Sequence, residues 1–309
     1  MDINYIFLRH GHGCHNAIRP LKKRNIISND TAYKLVYEED PNLKDPELTE
    51  IGVDASIYNG CVVSKYIRAL KNFPIEKRFD ISTIHVVGCS PLIRCMETSY
   101  YMTRKWKNPP EKIYVFPFLR EIDESSTNKY SKESLETIDR EPSYAMKTIQ
   151  EQKEYLLSEG ILDFFDFSFV ERYQNDRQQP GDIQNFVTFF VQKFVSKIKP
   201  MRQLNVYITT HAGVLKDFAK EGFHNNTGFV LNTSVQNPII AYGKKLSLNS
   251  IPEFKKEIFY AYDTDITATP EYYCPSTRCG QLCKYVKNPT GKLESFPFPK
   301  CQNSEGENL

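Results

Sequence analysis

The chain has 309 residues, of which 40% are hydrophobic, and its mean hydropathy is -0.50. These values are typical of a globular protein that is large enough to bury a substantial core. The 40 basic and 38 acidic residues leave a net charge of +2, which argues against general nucleic-acid binding. The longest apolar stretch, residues 186–195, is interrupted by polar side chains and is too short to span a bilayer.

The first residues lack the features of a secretory signal peptide. An acidic residue occupies position 2, and an apolar, strand-like run begins at once. The sequence therefore predicts a cytoplasmic protein without nucleic-acid or membrane partners, in which the eight cysteines are mostly reduced thiols. The composition leaves the oligomeric state open.

The first apolar run, residues 3–8, predicts a buried strand that ends in Arg9-His10-Gly11. Ligands of α/β proteins usually bind at such strand ends. An arginine beside a histidine suits a phosphate group, because the guanidinium binds its oxygens and a neutral imidazole can attack phosphorus. Gly11 and Gly13 predict a close approach of the backbone or a turn with positive φ.

The next segments predict a helix, a second strand and a second helix, and each helix begins near a polar residue. Residues 45–52 predict a helix entry with Thr49 as the N-cap. Residues 81–87 form a β-branched run that predicts a second strand. Ser90 fits the N-cap of the helix that follows and places Arg94 about one turn inside it, where the free N–H groups also favour an anion.

The third and fourth predicted strands are also followed by residues of types that often act in catalysis, a glutamate and a histidine. A third strand over residues 113–116 leads to Glu121, which would be read as part of an exposed loop if it stood alone. Residues 124–182 show no strand signal and predict a helical insertion that covers the strand ends as a cap. A fourth strand over residues 204–210 ends in His211.

The remaining segments predict supporting elements and a separate tail. An amphipathic helix is expected over 182–199, and two strands over 235–241 and 256–262 are expected to pair near one edge of the sheet. The aromatic patch over 164–169 is expected to be part of the core. The cysteines of the tail over 266–309 match no common zinc-site spacing, so zinc binding, disulfide pairing and free thiols all stay open. These are Cys274, Cys279, Cys283 and Cys301.

The order of these elements predicts the fold class. Strands that alternate with helices are typical of an α/β protein, here a three-layer α/β/α sandwich with a mostly parallel central sheet. Residues 1–265 are expected to form one catalytic domain that contains the helical cap insertion over about 124–182.

The residues at the strand ends lie in motifs that resemble those of the histidine phosphatase superfamily, in its phosphoglycerate mutase-like branch. Each motif is weak alone, but their order over residues 3–241 makes the resemblance strong. The motifs are Arg9-His10-Gly11 with Asn16, Asp45-Pro46 with Leu48, Thr49 and Gly52, Ser90-Pro91-Leu92 with Arg94, Cys95 and Thr98, Leu119 with Glu121, and Thr210-His211-Ala212-Gly213.

The resemblance implies a phosphoglycerate mutase-like fold and a metal-independent phosphomonoester hydrolase that needs no cofactor. It implies that neutral His10 forms a phosphohistidine intermediate and that Glu121 is the general acid and base. Nearby arginines disfavour the imidazolium form of His10, and a backbone carbonyl is expected to hold its other ring nitrogen. Catalytic roles are implied for His10, Glu121, His211, Arg9 and Arg94, and substrate contacts for Arg9, Asn16, Arg94, His211, His12 and His15.

Departures from the motifs narrow the expected activity. His12, Cys14 and His15 stand where the glycolytic mutases have other residues, which favours a hydrolase over a phosphoglycerate mutase. Ala212 stands where the acid-phosphatase and phytase branch has aspartate, which favours Glu121 as the separate acid. A mutase-type phosphoryl transferase and a non-catalytic phosphate-binding or scaffold protein stay open as alternatives. The expected substrate is a phosphorylated small molecule, although a phosphoprotein would also fit.

Overall fold

The computed structural model describes most of the predicted strands and the segments that surround their ends. It describes residues 1–17, 28, 44–49, 52–57, 60, 84–104, 106, 108–122, 146–199, 201–219, 227–235 and 242–247. The strands in these residues are β1 (Asp2–Arg9), β2 (Val86–Cys89), β3 (Ile113–Val115), β4 (Phe165–Asp166), β5 (Gln203–Thr210), β6 (Thr227–Ser234) and β7 (Tyr242–Ser247).

The seven strands form one sheet in the order β4-β3-β2-β5-β1-β6-β7. The strands from β4 to β1 run parallel to their neighbours, whereas β6 and β7 are antiparallel. In the pairing of β1 with β5, Arg9 lies opposite Thr210. The carboxyl ends of the parallel strands therefore lie at the same edge of the sheet, where α/β proteins bind ligands.

Helices cover both faces of the sheet. Side chains of β1 alternate, so that Tyr5 and Phe7 belong to the core on one face and Ile6 and Leu8 to the core on the other. Besides the helical residues 52–57, the α-helices in the described residues are α1 (Ile93–Thr103), α2 (Ile149–Ser158), α3 (Ser168–Arg172), α4 (Gln174–Arg177), α5 (Ile183–Phe189) and α6 (Ala212–Ala219).

The two cores differ in composition. On one face, Met96 of α1 and Leu156 of α2 pack against the sheet. On the other face, α5 and the turn after it contribute phenylalanines at helical spacing, and the rings of Phe190 and Phe194 stack with their centroids 4.9 Å apart. The predicted three-layer α/β/α sandwich with a mostly parallel sheet is confirmed.

Several element boundaries differ from the predictions. Strand β2 begins at Val86 and continues through Cys89, so it lies later than the predicted run. The predicted helix over 182–199 is α-helical only over Ile183–Phe189, with Asp182 as its N-cap. A π-helical turn over Phe190–Phe194 and a 3-10 turn over Val195–Lys197 complete it.

The antiparallel strand pair at the sheet edge lies at other residues than predicted. Strands β6 and β7 occupy Thr227–Ser234 and Tyr242–Ser247, and residue 235 lies in a bend. The rest of the predicted pair, residues 236–241 and 256–262, lies outside the described residues.

The described part of the predicted cap insertion contributes to the sheet and its core. Residues 165–166 form the short strand β4 beside β3, which the sequence analysis did not predict. Phe165, Phe167 and Phe169 are buried, as expected for core residues, whereas Phe164 is 41% exposed. The C-terminal tail and its cysteines lie outside the described residues, so the domain division stays a prediction. In the part of the chain that is described, no helix is both long and apolar enough to cross a membrane.

Candidate active site

Three neighbouring strand ends form the centre of the candidate site. His10 follows β1, Ser90 follows β2 and His211 follows β5, which lies between the other two strands. The backbone N–H of His10 donates to the carbonyl of Thr210 at 2.9 Å, and that of Ser90 donates to the carbonyl of Thr209 at 2.9 Å. These bonds extend the sheet by one residue and hold the three residues side by side.

Arg94, the second residue of α1, links the two histidines. Its side chain is fully buried, its Nε lies 3.2 Å from His10 Nε2, and its Nη2 lies 3.2 Å from His211 Nδ1. Because a guanidinium only donates hydrogen bonds, both ring nitrogens accept and are unprotonated. Among the described residues, Arg94 Nη1 is buried without a hydrogen-bond partner.

The ring of His10 is oriented by its own loop. Its Nδ1 lies 2.6 Å from the carbonyl oxygen of Gly11, so Nδ1 carries the proton and donates it to that oxygen. The lone pair therefore lies on Nε2, the atom that faces Arg94. A backbone carbonyl on the other ring nitrogen is the contact that the sequence analysis predicts.

The second histidine, His211, has the opposite tautomer. Its Nδ1 accepts from Arg94, so its Nε2 carries the proton and donates to Ser90 Oγ at 2.8 Å. The Cys95 sulfur lies 3.4 Å from the same nitrogen, and burial raises the pKa of this thiol, which is neutral as a result. Ser90 is therefore not the predicted helix cap, because Pro91 and Leu92 lie in a bend and α1 begins at Ile93.

Glu121 lies against His211 although it is not adjacent to a strand. Its side chain is 5% exposed, its Oε2 lies 3.8 Å from His211 Nδ1, and its Oε1 accepts from the N–H of Ile122 at 2.9 Å. A Cβ on Gly213 would lie 2.3 Å from Glu121 Oε1. Glycine at this position therefore leaves the space that the carboxylate occupies.

The loop after His10 places two more predicted residues near the site. His15 is buried, and its ring centroid lies 5.7 Å from that of His10. Asn16 accepts from the N–H of Gly13 at 2.9 Å through its side-chain oxygen, so this oxygen holds the loop. Gly13 does not have the positive φ that the sequence allowed, and a Cβ there would lie 2.8 Å from the ring Nδ1 of His15.

His12 connects this loop to the segment over residues 44–49. Its Nδ1 lies 3.0 Å from Thr49 Oγ1, and Gly13 forms an isolated antiparallel bridge with Leu48. Thr49 Oγ1 also accepts from the N–H of Gly52 at 3.0 Å, so the predicted N-cap is confirmed for the helical residues 52–57.

Thr98 joins α1 to the loop of His10. Its hydroxyl accepts from the N–H of Gly11 at 2.9 Å and donates to the carbonyl of Arg94 at 2.6 Å. Arg9, the last residue of β1, is half-buried at the same edge of the sheet. The structure thus brings His10, Arg94, His211 and Glu121 together, and the substrate contacts predicted for Arg9, Asn16, His12 and His15 stay predictions.

Sequence reasoning missed two contacts in this site. A Ser-Pro pair before a helix indicates a cap, so no signal in the sequence connects Ser90 with His211. The closeness of Gly213 to Glu121 depends on two segments that are far apart in sequence, and the glycine alone does not indicate it.

The cysteines of the described segments differ in state. Cys89 and Cys95 are free and buried, whereas Cys14, in the loop of His10, is disulfide-bonded. Cys14 is thus an exception to the prediction that the cysteines are mostly reduced thiols, which otherwise stays a prediction. Within the described ranges, no group of three His, Cys, Asp or Glu side chains is arranged to hold a metal ion.

The solved structures that match this chain include two of low sequence identity. A phosphoserine phosphatase from Entamoeba histolytica, solved in complex with 3-phosphoglyceric acid, is 12% identical and covers 78% of this chain and 96% of its own, with a TM-score of 0.35. YhfR of Bacillus stearothermophilus is 16% identical and covers 74% of this chain and 90% of its own, with a TM-score of 0.32. No protein-family profile and no curated protein matches the chain. The similarity is too low to support a conclusion about activity, so the resemblance to the histidine phosphatase superfamily rests on the motifs and their arrangement.

Proposed function

We propose that this protein is a metal-independent phosphomonoester hydrolase that forms a phosphohistidine intermediate on His10. One observation supports the proposal most strongly. The buried guanidinium of Arg94 donates to an unprotonated nitrogen of His10 and to one of His211, and its Nη1 has no hydrogen-bond partner among the described residues. A buried cation with an unsatisfied N–H, next to a nucleophilic nitrogen, suits a phosphoryl group.

In the proposed first step, His10 Nε2 attacks the phosphorus of a phosphomonoester. His10 Nε2 gives up the hydrogen bond that it accepts from Arg94 Nε, and its lone pair forms the N–P bond while the P–O bond to the leaving group breaks. Donation from Nδ1 to the Gly11 carbonyl holds the ring in the reactive tautomer. Positive charge near the ring disfavours the imidazolium, which keeps Nε2 available near neutral pH.

Glu121 is the proposed general acid and base. In its protonated form it gives a proton to the leaving oxygen, and the resulting carboxylate then accepts a proton from the water that attacks the phosphohistidine. The N–P bond breaks in this second step, so inorganic phosphate is released and Glu121 is protonated again. The first step therefore requires the neutral form of Glu121, and the second step requires its carboxylate.

The charges of the phosphoryl oxygens are proposed to be stabilised by side chains alone. Arg94 and Arg9 supply the cationic groups, and the Nε2–H of His211 is proposed to change its partner from Ser90 Oγ to a phosphoryl oxygen, so the reaction as proposed needs no metal or cofactor. Asn16, His12 and His15 are proposed to contact the substrate, for which we propose a phosphorylated small molecule. The cytoplasmic location, and the lack of nucleic-acid and membrane partners, stay predictions from composition.

The proposal is tested by phosphate release from a broad panel of phosphomonoesters, with and without a chelator. We expect release that survives the chelator and is lost in His10→Ala. His85→Ala is the matched control, because His85 lies before the first residue of β2, at the end of the strand away from Ser90. Phosphoryl exchange without net release would favour the mutase-type reaction, and release by His10→Ala at the rate of the wild type would contradict the proposal.

A further inference from the structure

Three buried polar side chains form a hydrogen-bonded chain beside the helix that contains Arg94. Asp45 and Gln152 are fully buried, and Arg177 is 4% exposed. Gln152 Nε2 donates to Asp45 Oδ2 at 2.6 Å, and Arg177 Nη2 donates to Gln152 Oε1 at 3.0 Å. We call these three residues the buried triad; they come from the segment over residues 44–49, from α2 and from α4.

The triad binds the turn through which the chain enters α1. The backbone N–H of Ile93 donates to Asp45 Oδ1 at 2.8 Å, and Gln152 Nε2 also donates to the carbonyl of Pro91 at 2.7 Å. Leu92, the N-cap of α1, provides no side-chain cap, so Asp45 caps this helix from a distant segment. Arg94 is the residue that follows this doubly bound turn.

Asp45 is held in an unusual backbone conformation by the same part of the chain. Its φ is 50°, a region that side chains other than glycine rarely adopt. Lys147, which precedes α2, donates to the carbonyl oxygen of Asp45 at 3.0 Å. Burial raises the pKa of Asp45, whereas Lys147, the donated hydrogen bonds and Arg94 act in the opposite direction.

A second buried carboxylate connects the same segments. Glu97 of α1 accepts from the N–H of Leu48 at 2.6 Å and from the hydroxyl of Tyr155 at 2.7 Å. Gln152 and Tyr155 are three residues apart and therefore lie on the same face of α2. This face of the insertion contacts both the segment over residues 44–49 and α1.

We propose that Asp45 and Gln152 are positioning residues for Arg94. By binding the turn before Arg94, they fix the first turn of α1, so that the guanidinium faces His10 and His211. The inference rests on the proposed function, since it takes Arg94 to bind the phosphoryl group. Gln152, which belongs to the predicted insertion, then helps to orient the side chain that binds phosphate.

The test uses two exchanges that each break the triad and together restore one of its bonds. Gln152→Glu places a carboxylate against Asp45, so two acceptors face each other. Asp45→Asn places an amide against Gln152, so two donors face each other, and asparagine tolerates the positive φ. In the double variant the introduced amide donates to the introduced carboxylate, which still accepts from Arg177.

The readout is the affinity for inorganic phosphate, measured by titration calorimetry well below the unfolding midpoint of each variant. We expect each single exchange to weaken phosphate binding about tenfold, the size of one hydrogen bond to a charged group. Asp45→Asn is expected to weaken phosphate binding in the wild-type background and to strengthen it in the Gln152→Glu background. We call this reversal the sign change. Gln150→Glu, the same exchange at an exposed position of α2, is expected to leave the affinity unchanged.

Other outcomes overturn the inference. Single variants that bind phosphate as the wild type does contradict it, and so does an Asp45→Asn effect that is equal in both backgrounds. If Gln152→Glu does not fold, Gln152→Met also removes the two hydrogen bonds that Gln152 donates, together with the one that it accepts from Arg177, and adds no charge. Unchanged phosphate affinity in that variant contradicts the inference.

The experiment also separates this inference from the proposed function. If the wild-type protein binds phosphate and the variants show the sign change, but the wild type releases no phosphate from monoesters, only the proposed function is contradicted. A protein that hydrolyses monoesters without the sign change contradicts only the inference. A wild-type protein that does not bind phosphate contradicts both.

Discussion

The position of Gly213 gives a sharp test of the role of Glu121. In Gly213→Ala, the added methyl group would lie 2.3 Å from Glu121 Oε1, whereas ordinary contacts begin at 3.4 Å. The carboxylate must therefore move by about 1 Å, a displacement that can lower the rate of a catalysed step about a hundredfold. We expect this loss in the rate of phosphoenzyme formation, with phosphate affinity nearly unchanged, because the atoms nearest to the new methyl group belong to Glu121 and Ile122 and not to Arg94 or His10.

Single-turnover kinetics with two substrates check the prediction. An alkyl phosphate needs a proton on its leaving oxygen, whereas p-nitrophenolate leaves without one, so the loss should be larger for the alkyl phosphate. In a Glu121→Ala background, Gly213→Ala should have no further effect on the rate. In that background Gly213→Ala should also not lower the free energy of unfolding, since alanine is favoured over glycine in a helix by about 1 kcal/mol. An equal loss for both substrates, or the same loss without Glu121, would refute the reasoning.

Three further predictions concern the support of the site and the core. Ser90→Ala removes the 2.8 Å hydrogen bond from His211 Nε2 and should lower kcat about three- to tenfold in steady-state assays. The unfolding midpoint of the variant is measured as a control for lost stability. Phe190→Ala, in the stacked pair with Phe194, should lower the free energy of unfolding by about 3–5 kcal/mol in urea titrations. Leu157→Ala, at a side chain that is 66% exposed, is the control and should change it by no more than about 0.5 kcal/mol. Cys89 and Cys95 should resist alkylation in the folded protein, because burial raises the pKa of both thiols, and rapid modification detected by mass spectrometry would contradict this.

The strand ends of the site could be predicted from sequence because a local pattern indicates them. The apolar runs before His10 and His211 predict buried parallel strands, and parallel strands bring their carboxyl ends together. Glu121 lies beyond the end of its strand, and only the motif resemblance pointed to it. Its contact with His211 depends on the loop after β3, whose course no local pattern indicates.

The supporting contacts could not be predicted because they join segments that are distant in sequence. Asp45 caps a helix that begins at Ile93, and Gln152 reaches both Asp45 and Pro91 from the insertion. A helix start normally finds its cap among its own preceding residues, so the pattern favoured Ser90. Asp45 caps α1 instead, and the Ser90 hydroxyl contacts His211.

The central claim is a covalent intermediate on His10, and trapping that intermediate tests it most directly. The wild-type protein, His10→Ala and His85→Ala are each mixed with a turned-over phosphomonoester and quenched, and the phosphorylated atom is located by mass spectrometry and phosphorus NMR. We predict acid-labile phosphate on His10 in the wild type and in His85→Ala, and none in His10→Ala. The phosphorylated atom should be Nε2, because Nδ1 donates to the Gly11 carbonyl. Phosphate on Nδ1 or on another residue, or hydrolysis that proceeds without any phosphoenzyme, would contradict the account.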